Sequence, residues 1–270
     1  MTTLCATCGV EADQPLPMTC PICADERQWV PAAGQRWSSI AQQQREGFRI
    51  DVDELEPGLW AVTSEPQVGI GQRALLVQTG EGNLLWDPIG TITPAAIERV
   101  RELGGIAVVA ASHPHMFGVQ CAWADALDAR VLVNERDAAW LQRRSARIEL
   151  WDGELEVLPG VRLIRFGGHF PGSAMVLWAQ GSGGEGSLLA GDTIQPKPDR
   201  RSLGFMRSFP NNIPMSPGVV RRIADQLAPL RYRRIYGNIA GQLIEDGPAA
   251  VERSAARHIA WCRGEHDDLT

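Results

Sequence analysis

The sequence predicts an α/β fold in which two sheets pack together with helices outside, preceded by a small metal-stapled module. Three observations carry this reading. Two blocks of short apolar strands each lead into helices, the pattern of a layered α/β domain. Four of the six cysteines fall within the first 23 residues, as two CxxC pairs. Hydrophobic residues make up 44% and charged residues 21% of 270 positions, enough to bury a sizeable core. No apolar run reaches the roughly 18 residues a membrane span needs. The N-terminus lacks a basic-then-apolar leader, so a cytoplasmic protein is expected. A net charge of −6 argues against a general nucleic-acid binder.

The cysteines come first in the chain. Cys5-x2-Cys8 and Cys20-x2-Cys23 are two knuckles separated by 11 residues. Each aims two thiolates at one point, and two knuckles close a tetrahedral four-sulfur site. Two disulfides would need an oxidising compartment, for which there is no signal. Such a site suits zinc or a single iron. The run CATCGVEADQPLPMTCPIC resembles zinc ribbons and the rubredoxin-like module of rubrerythrins. Residues 1–37 are too few to bury a core alone, so the ion is expected to hold the module's fold. Ribbons also serve as docking modules, which makes a protein partner an expectation here. Only one basic residue, Arg27, occurs in residues 1–30, which argues against phosphate binding. Pro31 to about Gln44 reads as a connector by composition, and the linker proper is placed at 38–47. A module on a linker is expected to be separable, so that a chain without its four cysteines would still hold an ion at the histidines described below.

From Phe48 the pattern changes. Strands are predicted at 48–52, 59–62, 74–77 and 83–86, from runs such as Ala74-Leu-Leu-Val. A helix at 94–103 follows, with Thr93 as cap, Pro94 at its first position and Gly104-Gly105 as its stop. Ile106 to Ala110 is a short continuous apolar run, hence a buried strand. Helices at 117–127 and 135–143 flank a strand at 131–133. Strands recur near 147–151, 154–158, 161–165, 174–179 and 187–191. Helices at 217–228 and 248–262, with the strand Arg234-Ile-Tyr between them, close a domain spanning 48–264 with a tail at 265–270. Cys121 and Cys262 lie on apolar helical stripes and read as small core residues.

The chemistry-bearing residues sit where strands end. His113-Pro-His115 follows the strand 106–110, His169 follows 161–165, and Asp192 follows 187–191. A site grafted on a sheet collects its ligands at such ends. Each residue alone has an ordinary structural explanation; together they suggest a metal centre.

These segments resemble the metallo-β-lactamase superfamily. SHPHMFG is similar to its HxHxDH motif, GGHFPGS to the motif of the third histidine, and LLAGDTI to the strand that delivers the bridging aspartate. The likeness covers about 48–262 and implies an αββα sandwich with its metal site at one edge of the two sheets. It implies a complete first site of His113, His115 and His169, with Asp192 as fourth ligand or supporting partner. The second site is stripped: Phe117 and Gly118 stand at the motif's Asp and final His, and no His occurs between 169 and 258. Asn238 is the nearest polar residue where the last ligand would be. A zinc ion in each module is the expectation, with iron an alternative at either.

Three histidines and an open position make a catalytic zinc arrangement. The leading reading is therefore a single-metal hydrolase of a small ester, thioester or lactone, with Asp192 and Asn238 as candidate catalytic groups. His113, His169 and Asp192 also form a two-His-one-carboxylate set suited to a mono-iron oxidoreductase resembling the family's persulfide dioxygenases. A non-catalytic binding protein is the third reading. The loop 196–214 carries Arg200, Arg201 and Arg207 among aromatic residues and is a candidate for drawing an anionic substrate.

Overall fold

The computed structural model describes residues 2–270. The module contributes β1 (Thr3–Cys5), β2 (Glu11–Ala12) and β3 (Trp37–Ser39), which form a sheet ordered β2-β1-β3. A first large sheet holds β4 (Arg49–Glu56), β5 (Leu59–Glu65), β6 (Ala74–Thr79), β7 (Gly82–Trp86), β8 (Val108–Ala110), β9 (Arg130–Asn134) and β10 (Ile148–Trp151). These seven strands lie in continuous order, antiparallel through β4 to β7 and parallel from β7 to β10. Next come β11 (Glu154–Leu158), β12 (Val161–Arg165), β13 (Ala174–Trp178) and β14 (Ser187–Leu189). Two small hairpins follow, β15 (Gln195–Pro196) with β16 (Leu203–Gly204), and β17 (Met206–Ser208) with β18 (Ile213–Pro214). Finally β19 (Arg234–Tyr236) and β20 (Leu243–Ile244) complete a second sheet of six strands, ordered β11-β12-β13-β14-β19-β20.

Three apolar layers fix this stack. Between the sheets, Leu75, Leu84 and Trp86 of the first meet Leu163, Val176 and Trp178 of the second. Outside the first sheet lie helices Pro94–Glu102 and Gln120–Leu127, whose Ala96, Val100, Trp123 and Ala124 pack on Leu76, Leu85 and Val109. Outside the second lie Pro217–Leu227 and Gly247–Cys262, which bury Val220, Ile223, Val251 and Ile259 on Met175, Leu177 and Leu188. The layers run helix, sheet, sheet, helix, as the sequence predicts. The Thr93 hydroxyl caps its helix by accepting from Ala96 N, and Ser216 does the same for Val219 N. Among the described residues no helix is long and apolar enough to cross a membrane.

Several elements differ from expectation. The helix predicted from 117 begins at Gln120, after a 3-10 turn at Pro114–Met116. Gly118 interrupts it with a left-handed φ of 51°. The segment 135–143 holds a 3-10 helix at Glu135–Trp140 rather than an α-helix. Cys121 is buried as expected, but Cys262 faces solvent in the last turn of its helix.

The linker expected at 38–47 is built structure: β3 pairs with β1, and Ser39 caps a helix at Ile40–Arg45. The module also shares its core with the sandwich. Leu4, Cys5, Cys8, Val10, Cys20 and Ile22 are buried in one cluster with Ile89, Phe117 and Val119 of the sandwich. Glu11 N donates to Gly118 O at 3.0 Å, while the Glu11 carboxylate accepts from Cys121 N and pairs with Arg143, each at 2.5 Å. A segment too short to enclose a core has borrowed one.

Candidate metal centre

Two groups of ligand-bearing side chains converge among the described residues. Cys5, Cys8, Cys20 and Cys23 bring their sulfurs within 4.8 Å of one another, as His113, His115 and His169 do their ring nitrogens. The Cys5–Cys23 sulfurs lie 3.5 Å apart and the Cys8–Cys20 pair 3.7 Å. A tetrahedral ion with bonds of about 2.3 Å has sulfur–sulfur edges of about 3.8 Å, so the four thiols fit one ion of that kind. All are free of disulfides.

Parallel strand order assembles the second group. β7 and β8 run side by side, so Asp87, just past one, meets Ser112-His113, just past the other. β14 and β19 are likewise parallel, which brings Asp192 to Asn238. Ala174 N at the start of β13 donates to Ser112 O at 2.9 Å, tying the two sheets together at this edge.

Hydrogen bonds hold two of the rings, His113 and His169, for ligation. His169 Nδ1 lies 3.2 Å from Met206 O, so it donates there and leaves Nε2 with a lone pair. Asp87 accepts from Ser112 N at 2.6 Å and from Ser112 Oγ at 3.1 Å. With its proton given to the carboxylate, that hydroxyl accepts from His113 Nδ1 at 2.9 Å, again freeing Nε2. The Nε2 atoms of His113, His115 and His169 are buried and lack any hydrogen-bond partner. Asp192 Oδ2 stands 3.5 Å from His113 Nε2 and 3.9 Å from His169 Nε2, and its Oδ1 accepts from Asn238 Nδ2 at 3.1 Å. Burial, reinforced by the neighbouring imidazoles, holds His113 and His115 well below the usual histidine range, and burial also lowers His169. Burial also pushes the Asp192 carboxyl up. Three neutral imidazoles converging on one point, with a carboxylate beside two of them, are a donor set fitted to a divalent cation.

A cavity of about 250 Å³ opens over this point, lined by His115, Asp192 and Gln195 together with Ile70, Phe209 and Pro210. Its remaining wall is Arg27, Gln28 and Trp29 from the N-terminal module. Arg200, Arg201 and Arg207 do not line it. Arg200 reaches Glu245 and Arg207 reaches Glu26. His258 donates to or accepts from nothing in the centre; its Nε2 lies 2.8 Å from Met215 O.

No protein-family model matches the chain. It is 38% identical over 266 residues to the uncharacterized protein YmaE of Bacillus subtilis (strain 168), with 97% of each chain covered. FIM-1 from Pseudomonas aeruginosa, solved in a mono-zinc form, superposes with a TM-score of 0.56 at 16% identity, over 77% of this chain and 95% of that one. A B3 metallo-β-lactamase described as the first with an active-site glutamic acid gives 0.55 at 17%, over 89% and 99%. The chain belongs to the YmaE family and has the metallo-β-lactamase fold.

Within this YmaE-family chain, packing has taken over the positions where the motif would carry second-site ligands. Phe117 is buried in the cluster that includes Cys5, Cys8 and Ile22. A Cβ at Gly118 would lie 1.9 Å from Pro88 O. No side chain fits there without moving backbone, so a histidine cannot be restored. Gly118→Ala is expected to cost on the order of 2–4 kcal/mol, read as a lowered midpoint of thermal unfolding. Asp87 and Ser112, which hydrogen-bond behind His113, are not singled out by the sequence; an Asp-Pro step after an apolar strand was the available signal. Asp87 has a left-handed φ of 55°, and burial pushes its carboxyl up to about 7. Asp87→Ala should weaken metal binding at the histidines by about 10- to 100-fold, measured by chelator competition.

A second buried carboxylate supports the loop of the third histidine. Asp137 Oδ1 accepts from Gly172 N at 2.9 Å, and burial pushes its pKa from the ordinary 3.8 to about 6. Between those values the folded chain keeps a proton that the unfolded chain releases. This contribution to stability is therefore present below about pH 4 and lost as pH rises through about 6, by on the order of 3 kcal/mol. Urea unfolding across that window should show the decline, and Asp137→Asn should make it shallower, the raised Asp87 keeping the remainder.

Proposed function

We propose that the chain is a single-metal hydrolase acting on a small ester, thioester or lactone. The observation that carries this reading is the convergence of three unpartnered Nε2 atoms, with Asp192 Oδ2 beside two of them, beneath a cavity of small-molecule size. His113, His115 and His169 would hold the ion, with Asp192 as fourth ligand or as an acceptor beside it. Zinc suits a three-imidazole set. When bound, it supplies Lewis-acid polarisation of an acyl oxygen and acidifies water.

The protein's own groups do the rest. Asp192, on the cavity wall, is placed to hold or take a proton from an attacking water. Asn238 acts through it, fixing one carboxylate oxygen so that the other faces the histidines. Trp29, Ile70, Phe209 and Pro210 give the mouth an apolar rim, suited to the hydrocarbon or aromatic part of a substrate. The test is turnover of chromogenic esters, thioesters and lactones by zinc-loaded protein. Saturable hydrolysis that disappears in His113→Ala and falls in Asp192→Asn supports the reading. Rates no higher than those of metal-stripped protein sink it and favour a binding role.

One observation supports a second reading. Asp192 Oδ2 approaches His113 and His169, the two histidines of a facial triad. A mono-iron oxidoreductase would consume oxygen with a persulfide substrate after iron loading, whereas the hydrolase would not.

A further inference from the structure

Arg27 is where the cysteine module touches the histidine centre. The Cys20–Cys23 knuckle encloses a short helical turn, Pro21–Ala24, and Ala24 N donates to Cys20 O at 3.0 Å. Asp25 follows at its C-terminus and fixes Arg27: its carboxylate accepts from Arg27 N at 2.9 Å, from Nε at 2.5 Å and from Nη2 at 2.6 Å. The remaining terminal nitrogen, Nη1, donates to the backbone carbonyl of His169 at 3.0 Å. The guanidinium carbon lies 3.4 Å from the ring centroid of Phe170. That ring is the shared neighbour of all three ligands, with centroids 5.5 Å from His113, 4.8 Å from His115 and 5.2 Å from His169.

The same segment holds the other side of His169. Glu26 O accepts from Ser208 Oγ at 2.8 Å and from Asn211 Nδ2 at 2.7 Å. Ser208 shares β17 with Met206, whose carbonyl takes the His169 Nδ1 proton. Both the main chain and the ring of the third histidine are thus fastened to residues 25–27 of the module. Arg27 is 8% exposed, and its charge is spent on Asp25, His169 O and the Phe170 face rather than on a substrate.

We propose that Arg27 is a positioning residue that couples the two centres: the four-cysteine ion sets the 25–29 segment, and that segment sets His169 for ligation and fixes the Phe170 ring packed beside the three histidines. Loss of the first ion would then loosen the second and withdraw the Arg27–Trp29 wall of the cavity. This coupling does not depend on which reaction the site performs, so it survives failure of the hydrolase reading.

The test compares zinc-loaded wild type, Arg27→Gln and Arg27→Lys. Zinc affinity at the histidines is measured by competition with a chromophoric chelator, and that site is identified as the one missing in His169→Ala. Alkylation of the four cysteines reports whether the module remains closed. The expected result is about 10- to 100-fold weaker zinc binding at the histidines in Arg27→Gln, the range for groups that orient ligands, with cysteines still protected. Arg27→Lys, which keeps the charge but not the fork, should fall between. Histidine-site affinity within twofold of wild type, with protected cysteines, overturns the proposal. If Arg27→Gln exposes the cysteines, Arg27→Lys decides on the same criterion. A purely structural role would lower the unfolding midpoint and leave histidine-site affinity unchanged.

Discussion

His169→Ala removes the ion of the histidine centre and leaves the four-cysteine ion in place: metal analysis should fall from about two ions per chain to about one. The reasoning is local. His169 supplies one of only three unpartnered imidazole nitrogens at the site. The two that remain, with Asp192, would leave an ion one donor short, and no neighbouring side chain can replace it, since Phe170 follows in sequence and Phe209 packs beside the ring, its centroid 5.8 Å away. The backbone carbonyl that Arg27 holds is retained in the variant, so the module should stay closed. Activity of whatever class should drop to the level of metal-stripped protein. A variant that still binds about two ions would show that the histidines are not the second centre.

Removing the four-cysteine ion is expected to have the largest effect of all, because it takes the sandwich with it. Structural zinc contributes on the order of 10–16 kcal/mol in small modules, which equals or exceeds the roughly 5–15 kcal/mol net stability of a typical domain. Here the cysteines are not confined to a tethered module: Cys5, Cys8 and Cys20 are nearly without exposed surface, packed beside Ile89 and Phe117. Cys8→Ser therefore places a hydroxyl in an apolar contact and costs a ligand at once. Such a chain should lose cooperative thermal unfolding, or unfold well below the wild type, and lose histidine-site metal as well. This reverses what a separable module would do. A Cys8→Ser protein with an unchanged unfolding midpoint would refute the shared-core account.

Much of the candidate site was legible in the sequence. His113, His115, His169 and Asp192 stand directly after apolar runs, and strand ends are where an α/β sheet presents its ligands. The paired CxxC spacing specified a four-sulfur centre for the same kind of reason: short-range geometry dictates it. Thr93 and Pro94 likewise marked their helix start by local chemistry.

What stayed hidden depended on who becomes a neighbour. Asp87 lies 25 positions before Ser112, and only the parallel pairing of β7 and β8 brings them together. The arginines of 196–214 follow Asp192 in sequence, yet the hairpins there separate them: Arg200 pairs with Glu245, while Arg207 pairs with Glu26 and stays near enough to act on His115 and His169. Residues 38–47 read as a linker because a three-residue edge strand has no period of its own; β1 supplies it.

The sequence by itself determined the composition of both centres, since ligand type and spacing within a few residues are local properties of the chain. Only the tertiary structure decided that the centres are joined. Arg27 is 142 positions from His169, and no periodicity carries across that distance. The joining follows from burial: a cysteine module too small for a core of its own packs onto the sandwich, and its next turn becomes the wall and brace of the histidine site.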